Sequence, residues 1–444
     1  MKNILHKSFL VLSGAVVLVS CKPTLTAPTP TKGNMDPTRY VALGSSMTAG
    51  YADGGLYYQA QQYSYGNLLA SQFKLVGGGN FNQPLVPSSS IGCGTGGSSP
   101  LQLGYAKDCL GATSLIPVPI ASTGDVSIFS NTVYGSEGPF NNMGVPGAKL
   151  IAALLPGYGN PVKGAGQYNP FFYRMAANPA TSSILSDAVA ANPTFFTLFF
   201  TDDVLTYAMA GAASDSLTST ANFTAALNLV ISSLVAKGAK GAIASIPDVT
   251  QMPFFTTIPY NGLALDSSNA ALLNLVYNAR NIYFHVGNNP FLIQDPSAPY
   301  GIRLMQSNEH LLLTVPLDSV KCDGMGSYFE GIPNQYVLTT TEITNIQNAI
   351  ANYNSIIQAA AQANGLAYVD LNGFFNNLHT GITYNGVAMN EAFVTGGTFS
   401  LDGINLNPIG NAMLANQFIK AINKQYGSTI PQVDATQYRG VVFP

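Results

Sequence analysis

Tryptophan is absent from this chain, and charge is scarce: Asp, Glu, Lys and Arg make up 9% of 444 residues, against the usual quarter. The net charge of −3 comes with no basic block, so electrostatics give no support for nucleic acid as a partner. After the first 20 residues no segment is apolar and long enough to read as a transmembrane helix. No internal repeat is found, which sets aside solenoids and propellers. Disorder is excluded from the other side, because 23 Tyr and 23 Phe accompany an apolar content of 47%. Gly, Asn, Thr and Ser supply the polar surface that charged residues supply elsewhere.

What is present begins with an export signal over residues 1–20. Lys2 and Lys7 form a basic start, and Phe9 to Val19 is an apolar run too short to span a bilayer. It ends in Leu18-Val19-Ser20-Cys21, which resembles the lipobox of bacterial lipoproteins. The resemblance implies a mature N-terminus at an acylated Cys21, with two or three acyl chains giving stable anchoring to membrane lipid. Lys22 lacks the aspartate linked to inner-membrane retention, so an exported, outer-membrane lipoprotein is expected. Residues 21–38 are Pro/Thr-rich without apolar periodicity and read as an extended tether. Cys93 and Cys109 flank a Gly-rich stretch and are the expected disulfide, with Cys322 left as the odd thiol.

From Tyr40 onward strand-like and helix-like patterns alternate, the pattern of an α/β fold with a mostly parallel sheet. Strands are predicted at Tyr40 to Leu43, Thr194 to Phe200, Gly241 to Ile246 and Ala367 to Leu371, with another at Leu311 to Val315. The Phe-rich run Thr194 to Phe200 is apolar on both faces, as in a strand covered on both sides. Helices are predicted at Tyr65 to Phe73, from Pro146 to Leu155, and at Phe223 to Ala236. Ile343, Ile346, Ile350, Tyr353 and Ile357 recur at helical spacing, predicting a helix from Glu342 to Ala363 closed by Gly365. A last helix runs from Pro408 to Ile422. One domain over 39–430 is expected, with loop-rich insertions at about 77–135 and 255–310 and a tail at 431–444.

The chain is organised around Tyr40-Val-Ala-Leu-Gly-Ser-Ser-Met-Thr-Ala-Gly50, where a short strand delivers two hydroxyls onto a tight turn. Ligands bind at such carboxyl edges of open α/β sheets. Three further segments accompany it: Asn142-Met143-Gly144-Val145-Pro146-Gly147, Thr201-Asp202-Asp203-Val204, and Leu401-Asp402-Gly403-Ile404-Asn405. In this order, and with Tyr51-Ala-Asp-Gly54 and Ile246-Pro-Asp-Val249 around them, they resemble the four blocks of the SGNH/GDSL hydrolases, in a lipoprotein branch.

The resemblance implies a flavodoxin-like three-layer α/β/α sandwich and ester hydrolysis, on acyl esters of lipids or acetylated glycans, without metal or cofactor. Ser46 falls at the nucleophile position and Asp402 at the acid position. The oxyanion donors would be the N–H groups of Ser46 and Gly144, with the block-three side chain as the third. Two positions depart from the pattern. Asn405 stands where the family has its histidine, and Asp202 where it has its asparagine. Asparagine has no titratable nitrogen and cannot take the serine proton; an ionised carboxylate would repel the oxyanion it should stabilise. Asp402 acting directly on Ser46 would be a feeble base unless burial raised its proton affinity. Of the 4 histidines, His6 belongs to the export signal, His285 and His310 lie away from the closing block, and His379 follows a predicted strand. The expectation is therefore a hydrolase-like protein with impaired catalysis, or a glycan- or lipid-binding lipoprotein that retains the cleft.

Overall fold

The computed structural model describes residues 29–213, 216–328, 330–384 and 386–444. Five short strands form the central sheet: β1 (Tyr40–Gly44), β2 (Asn142–Gly144), β3 (Phe195–Phe199), β4 (Lys240–Ala244) and β5 (Ala367–Val369). All four neighbouring pairs are parallel, in spatial order β2-β1-β3-β4-β5. That order is the flavodoxin-like one. Every residue of β1 and β3 is buried, as the continuous apolar runs demand when helices cover both faces.

Alternation along β3 separates two helix layers. Phe195 and Phe199 turn to one face, where Phe195 meets Phe73 and Tyr426 and Phe199 meets Tyr65. These partners sit on α2 (Tyr65–Lys74) and α8 (Pro408–Tyr426), which pack together. Leu198 turns to the other face, beside Phe223 and Leu227 of α5 (Thr220–Val235) and Ile357 of α6 (Thr340–Ala363). α6 starts at a capping box of Thr339 and Glu342, and Ile343, Ile346, Ile350, Tyr353 and Ile357 are its buried stripe. α8 starts with Pro408 after the Asn407 cap and ends at Gly427, whose φ of +63° few other residues tolerate. Four shorter helices enter below: α1 (Ser46–Ala49), α3 (Ile184–Ala190), α4 (Asp202–Met209) and α7 (Leu371–Thr380).

Several expectations are corrected. The stretch after Pro146 winds only a 3₁₀ segment, Leu150–Leu154. Leu311 pairs with Val337 in a separate two-stranded ribbon, not in the main sheet. The second insertion has two apolar clusters of its own, around Leu273 with Tyr277 and around Phe291 with Ile293, and it extends to Leu338. The first insertion contains an antiparallel hairpin, Leu101–Lys107 with Thr113–Pro119.

The tether is docked over its last part: the Thr31 N–H donates to Thr429 Oγ1 at 2.9 Å, the Asn34 N–H to the Tyr426 carbonyl, and Met35 is buried. The tail is no free end either, since Ile430, Val433 and Ala435 join the core and the Asn416 side chain brackets both backbone groups of Val433. Cys21 and the export signal lie outside the described residues. No helix among those described is long and apolar enough to cross a membrane.

The expected Cys93–Cys109 bridge is wrong. Cys109 at the hairpin tip pairs with Cys322, with Cα atoms 6.4 Å apart, and Cys93 is a free, buried thiol. Cys93 lies before the hairpin, its backbone paired with Leu56, while Cys109 lies beyond the seven-residue strand Leu101–Lys107, at the tip. There the Asp318 carboxylate accepts the Cys109 N–H and Lys321 pairs with Asp108 at 3.1 Å. The bridge therefore joins the two insertions.

Candidate active site

Ser46 sits at the carboxyl end of β1, as the first residue of α1. In this strand order β1 is flanked by β2 on one side and β3 on the other, so the turn lies at the topological switch point where such sheets bind ligands. Gly44 makes the turn possible. A Cβ there would lie 2.1 Å from both the Phe199 carbonyl and Thr48 Oγ1. Of the two hydroxyls, Ser45 is buried and structural: its Oγ lies 3.0 Å from Thr201 Oγ1 and accepts the Thr201 N–H. Ser46 is half-buried, and its carbonyl accepts the Tyr51 N–H at 3.0 Å. The structure thus separates the two serines by role.

The second block does not supply the expected donor. The Gly144 N–H donates to Asn142 Oδ1 at 3.0 Å, and its α-carbon is packed so tightly on α1 that a Cβ would lie 2.2 Å from the Ala49 nitrogen. The exposed glycine of this block is Gly147, at a φ of +77°.

Asp202 is the first residue of α4, and it is 2% exposed. Burial, and then the neighbouring Asp203, push its carboxyl up from 3.8 to about 7, against weaker opposition from the Ser45 hydroxyl, the Gly147 N–H and Lys149. Its Oδ2 is buried with no hydrogen-bond donor. Asp203 is better served, accepting the Leu150 N–H at 2.7 Å and the Thr218 hydroxyl at 2.7 Å.

The closing block docks on the segment that follows Ser46. Asp402 Oδ2 accepts the Gly54 N–H at 3.1 Å and the Asn405 side-chain amide at 2.9 Å. Its Oδ1 accepts the Ser400 hydroxyl and the N–H groups of Ile404 and Asn405. An ionised carboxylate only accepts, so the nitrogen end of the Asn405 amide must be the one facing it. Asn405 Oδ1 is then turned away, buried and without a donor.

Asp53 is the residue the sequence reading passed over. Its Oδ1 accepts the Leu401 N–H at 2.8 Å, its Oδ2 accepts the Tyr57 hydroxyl at 2.5 Å, and its own N–H donates to Ser400 Oγ. Burial, with a contribution from Asp402, raises its proton affinity. Asp53 is thus the clamp that holds the fourth block against the first. An Asp-Gly pair just after the Ser46 turn was the available signal.

No described histidine is bonded to Ser46. His379 pairs with Glu391 at 2.5 Å near the end of α7, following β5 at the far edge of the sheet. His310 is largely buried beside Glu309, and burial lowers its proton affinity. The His285 N–H is held by Asn289. Among the described residues no cluster of His, Cys, Asp and Glu could hold a metal ion.

No family profile and no curated protein matches the chain. Among solved structures it is similar to a lipase/acylhydrolase from Enterococcus faecalis, with 12% identity over 89% of this chain and 98% of that one, at a TM-score of 0.33. A gut microbial diltiazem-metabolizing enzyme is similar at 11% identity over 88% of this chain and 49% of that one, with a TM-score of 0.29.

Proposed function

We propose that this chain is a lipid-anchored, ester-hydrolase-like protein of the SGNH/GDSL type whose serine is not activated. One observation carries the reading. The residue held on Asp402 is Asn405, whose amide donates to the carboxylate but has no nitrogen able to accept a proton. A serine hydroxyl becomes a useful nucleophile only when a base of suitable proton affinity takes its proton. Asp402 itself accepts five hydrogen bonds and has no spare lone pair aimed by geometry at a second task. On the oxyanion side, the Gly144 N–H is engaged, and Asp202, at the expected third-donor position, is a buried carboxyl with one oxygen unpartnered. Loss of the triad histidine costs on the order of 10⁶ in kcat in a well-characterised serine protease. Loss of one oxyanion donor costs about 10²–10³. Either would bring an esterase close to background. The N-terminal sequence supports acylation at Cys21 and a place in the outer membrane, to be tested by palmitate labelling of the chain and its Cys21→Ala variant.

The proposal predicts that purified protein shows no Ser46-dependent turnover of p-nitrophenyl butyrate. Turnover by the wild-type chain that disappears in Ser46→Ala would refute it. Combined Asn405→His and Asp202→Asn substitution restores a base on Asp402 and a donor at the oxyanion position. It is expected to raise Ser46-dependent turnover by about 10² or more, given the worth of these groups.

A further inference from the structure

Beside the closing block, away from Ser46, a groove of about 390 Å³ runs between the root of the hairpin and the last residues of the chain. Its size falls within the range of about 300–1,000 Å³ that holds small ligands. Leu101, Leu103 and Ile120 of the hairpin form one wall, and Val442 and Phe443 form the other. Ile120, Val442 and Phe443 are 43%, 57% and 55% exposed, while Leu103 is buried, so the groove has apolar rims open to water above a buried leucine. Two charged side chains also line it, Asp53 and Arg439. Both oxygens of Asp53 are occupied, by the Leu401 N–H and the Tyr57 hydroxyl. Arg439 is exposed and makes no hydrogen bond or ion pair among the described residues, although its charge favours the ionised form of Asp53. The groove therefore offers apolar walls and one guanidinium whose donors are unspent.

We propose that this groove binds a single aliphatic chain bearing a carboxylate, with the chain lying between Leu103, Ile120 and Phe443 and the carboxylate on Arg439. The fit follows from chemistry. Exposed aliphatic walls favour every methylene they remove from water, which selects a long chain over a compact polar ligand. A guanidinium matches a carboxylate with two parallel hydrogen bonds, which favours an acid over an alcohol of the same length. The groove borders the Asp53 and Leu401 contact as well as the hairpin and the 439–444 segment, but Ser46 is not among its lining residues, so the proposal stands whether or not the serine is active.

The test uses 11-(dansylamino)undecanoic acid, whose fluorescence rises on entering an apolar site, with dodecanoate and dodecan-1-ol as competitors against the full exported chain. Saturable binding to one site is expected, with dodecanoate competing at least tenfold better than the alcohol. Arg439→Gln should remove that preference and leave the alcohol unaffected. Ile120→Asp should weaken both at least tenfold. Both substitutions lie on the surface, and unchanged thermal unfolding of each variant separates a local effect from a folding one. Absence of saturable binding overturns the proposal. A preference for dodecanoate that survives Arg439→Gln overturns the assignment of Arg439, and an Ile120→Asp variant that binds normally overturns the assignment of the groove.

Discussion

Replacing Asp202 by asparagine should stabilise the protein, and by an amount that depends on pH. The carboxyl is buried next to Asp203 and keeps its proton up to about 7, where an exposed aspartate lets go near 3.8. Below about 3.8 both folded and unfolded chains hold that proton, and the group contributes no pH dependence. Between 3.8 and about 7 the unfolded chain ionises while the folded one does not, so stability falls as pH rises. Above about 7 the penalty is complete. With about 1.4 kcal/mol for each tenfold difference in proton affinity, the ceiling is about 4 kcal/mol. Coupling to Asp203 spreads part of that over two groups, so about 2–4 kcal/mol is expected at pH 8. An amide of the same shape carries no charge to desolvate and can donate as well as accept. Urea unfolding of the two proteins at pH 4, 6 and 8 measures the difference. The Asp202→Asn gain should be near zero at pH 4 and grow to its full value at pH 8. Parallel pH profiles, or a loss of stability at pH 8, would refute the reasoning.

Two further perturbations bear on the insertions. The Cys109–Cys322 bridge closes a separation of 213 residues, for which the chain-entropy estimate is about 5 kcal/mol; the Cys109→Ser, Cys322→Ser variant should lose about 2–5 kcal/mol in denaturant unfolding, and a loss under about 1 kcal/mol would show that the bridge constrains little. Glu309 is inaccessible and accepts two hydrogen bonds from Arg303, plus the N–H groups of Gln306 and of Thr340 at the start of α6. Glu309→Gln leaves that guanidinium underpaired and should cost about 3 kcal/mol, with faster amide exchange in the first turn of α6; unchanged exchange there would disconnect the ion pair from the helix.

Local patterns made the scaffold legible. Two apolar runs could only be buried strands, and the stripe from Ile343 to Ile357 could only be one face of a helix; each signal is complete within a dozen or so residues. The four segments that gather around the Ser46 turn were legible for the same reason, since a glycine before a serine at a strand end states its own local geometry. What escaped depends on partners remote in sequence. Cys109 has a near neighbour in Cys93 but pairs across 213 positions, because the hairpin carries it away from its own root. One miss is local instead: the Gly144 N–H is spent on Asn142, two residues away, through a side-chain bond that the residue pattern does not announce. Asp53 works through Leu401, 348 positions on.

On the proposed reading, Asn405 and Asp202 are the two positions that depart from the hydrolase pattern, and each bears on the other. At Asn405 a group that would accept a proton has become one that donates to Asp402 and leaves an oxygen behind it; at Asp202 a group that would donate has become a carboxyl with one oxygen unmatched. Each buried acceptor left without a donor costs about 1–3 kcal/mol. On that reading, an oxyanion forming at the Ser46 turn above about pH 7, where the Asp202 carboxyl has lost its proton, would meet a negative carboxylate even with an imidazole restored at position 405. Histidine alone at that position is therefore expected to recover less turnover than the pair above about pH 7, with the gap narrowing below it, where the protonated carboxyl carries no charge and can donate.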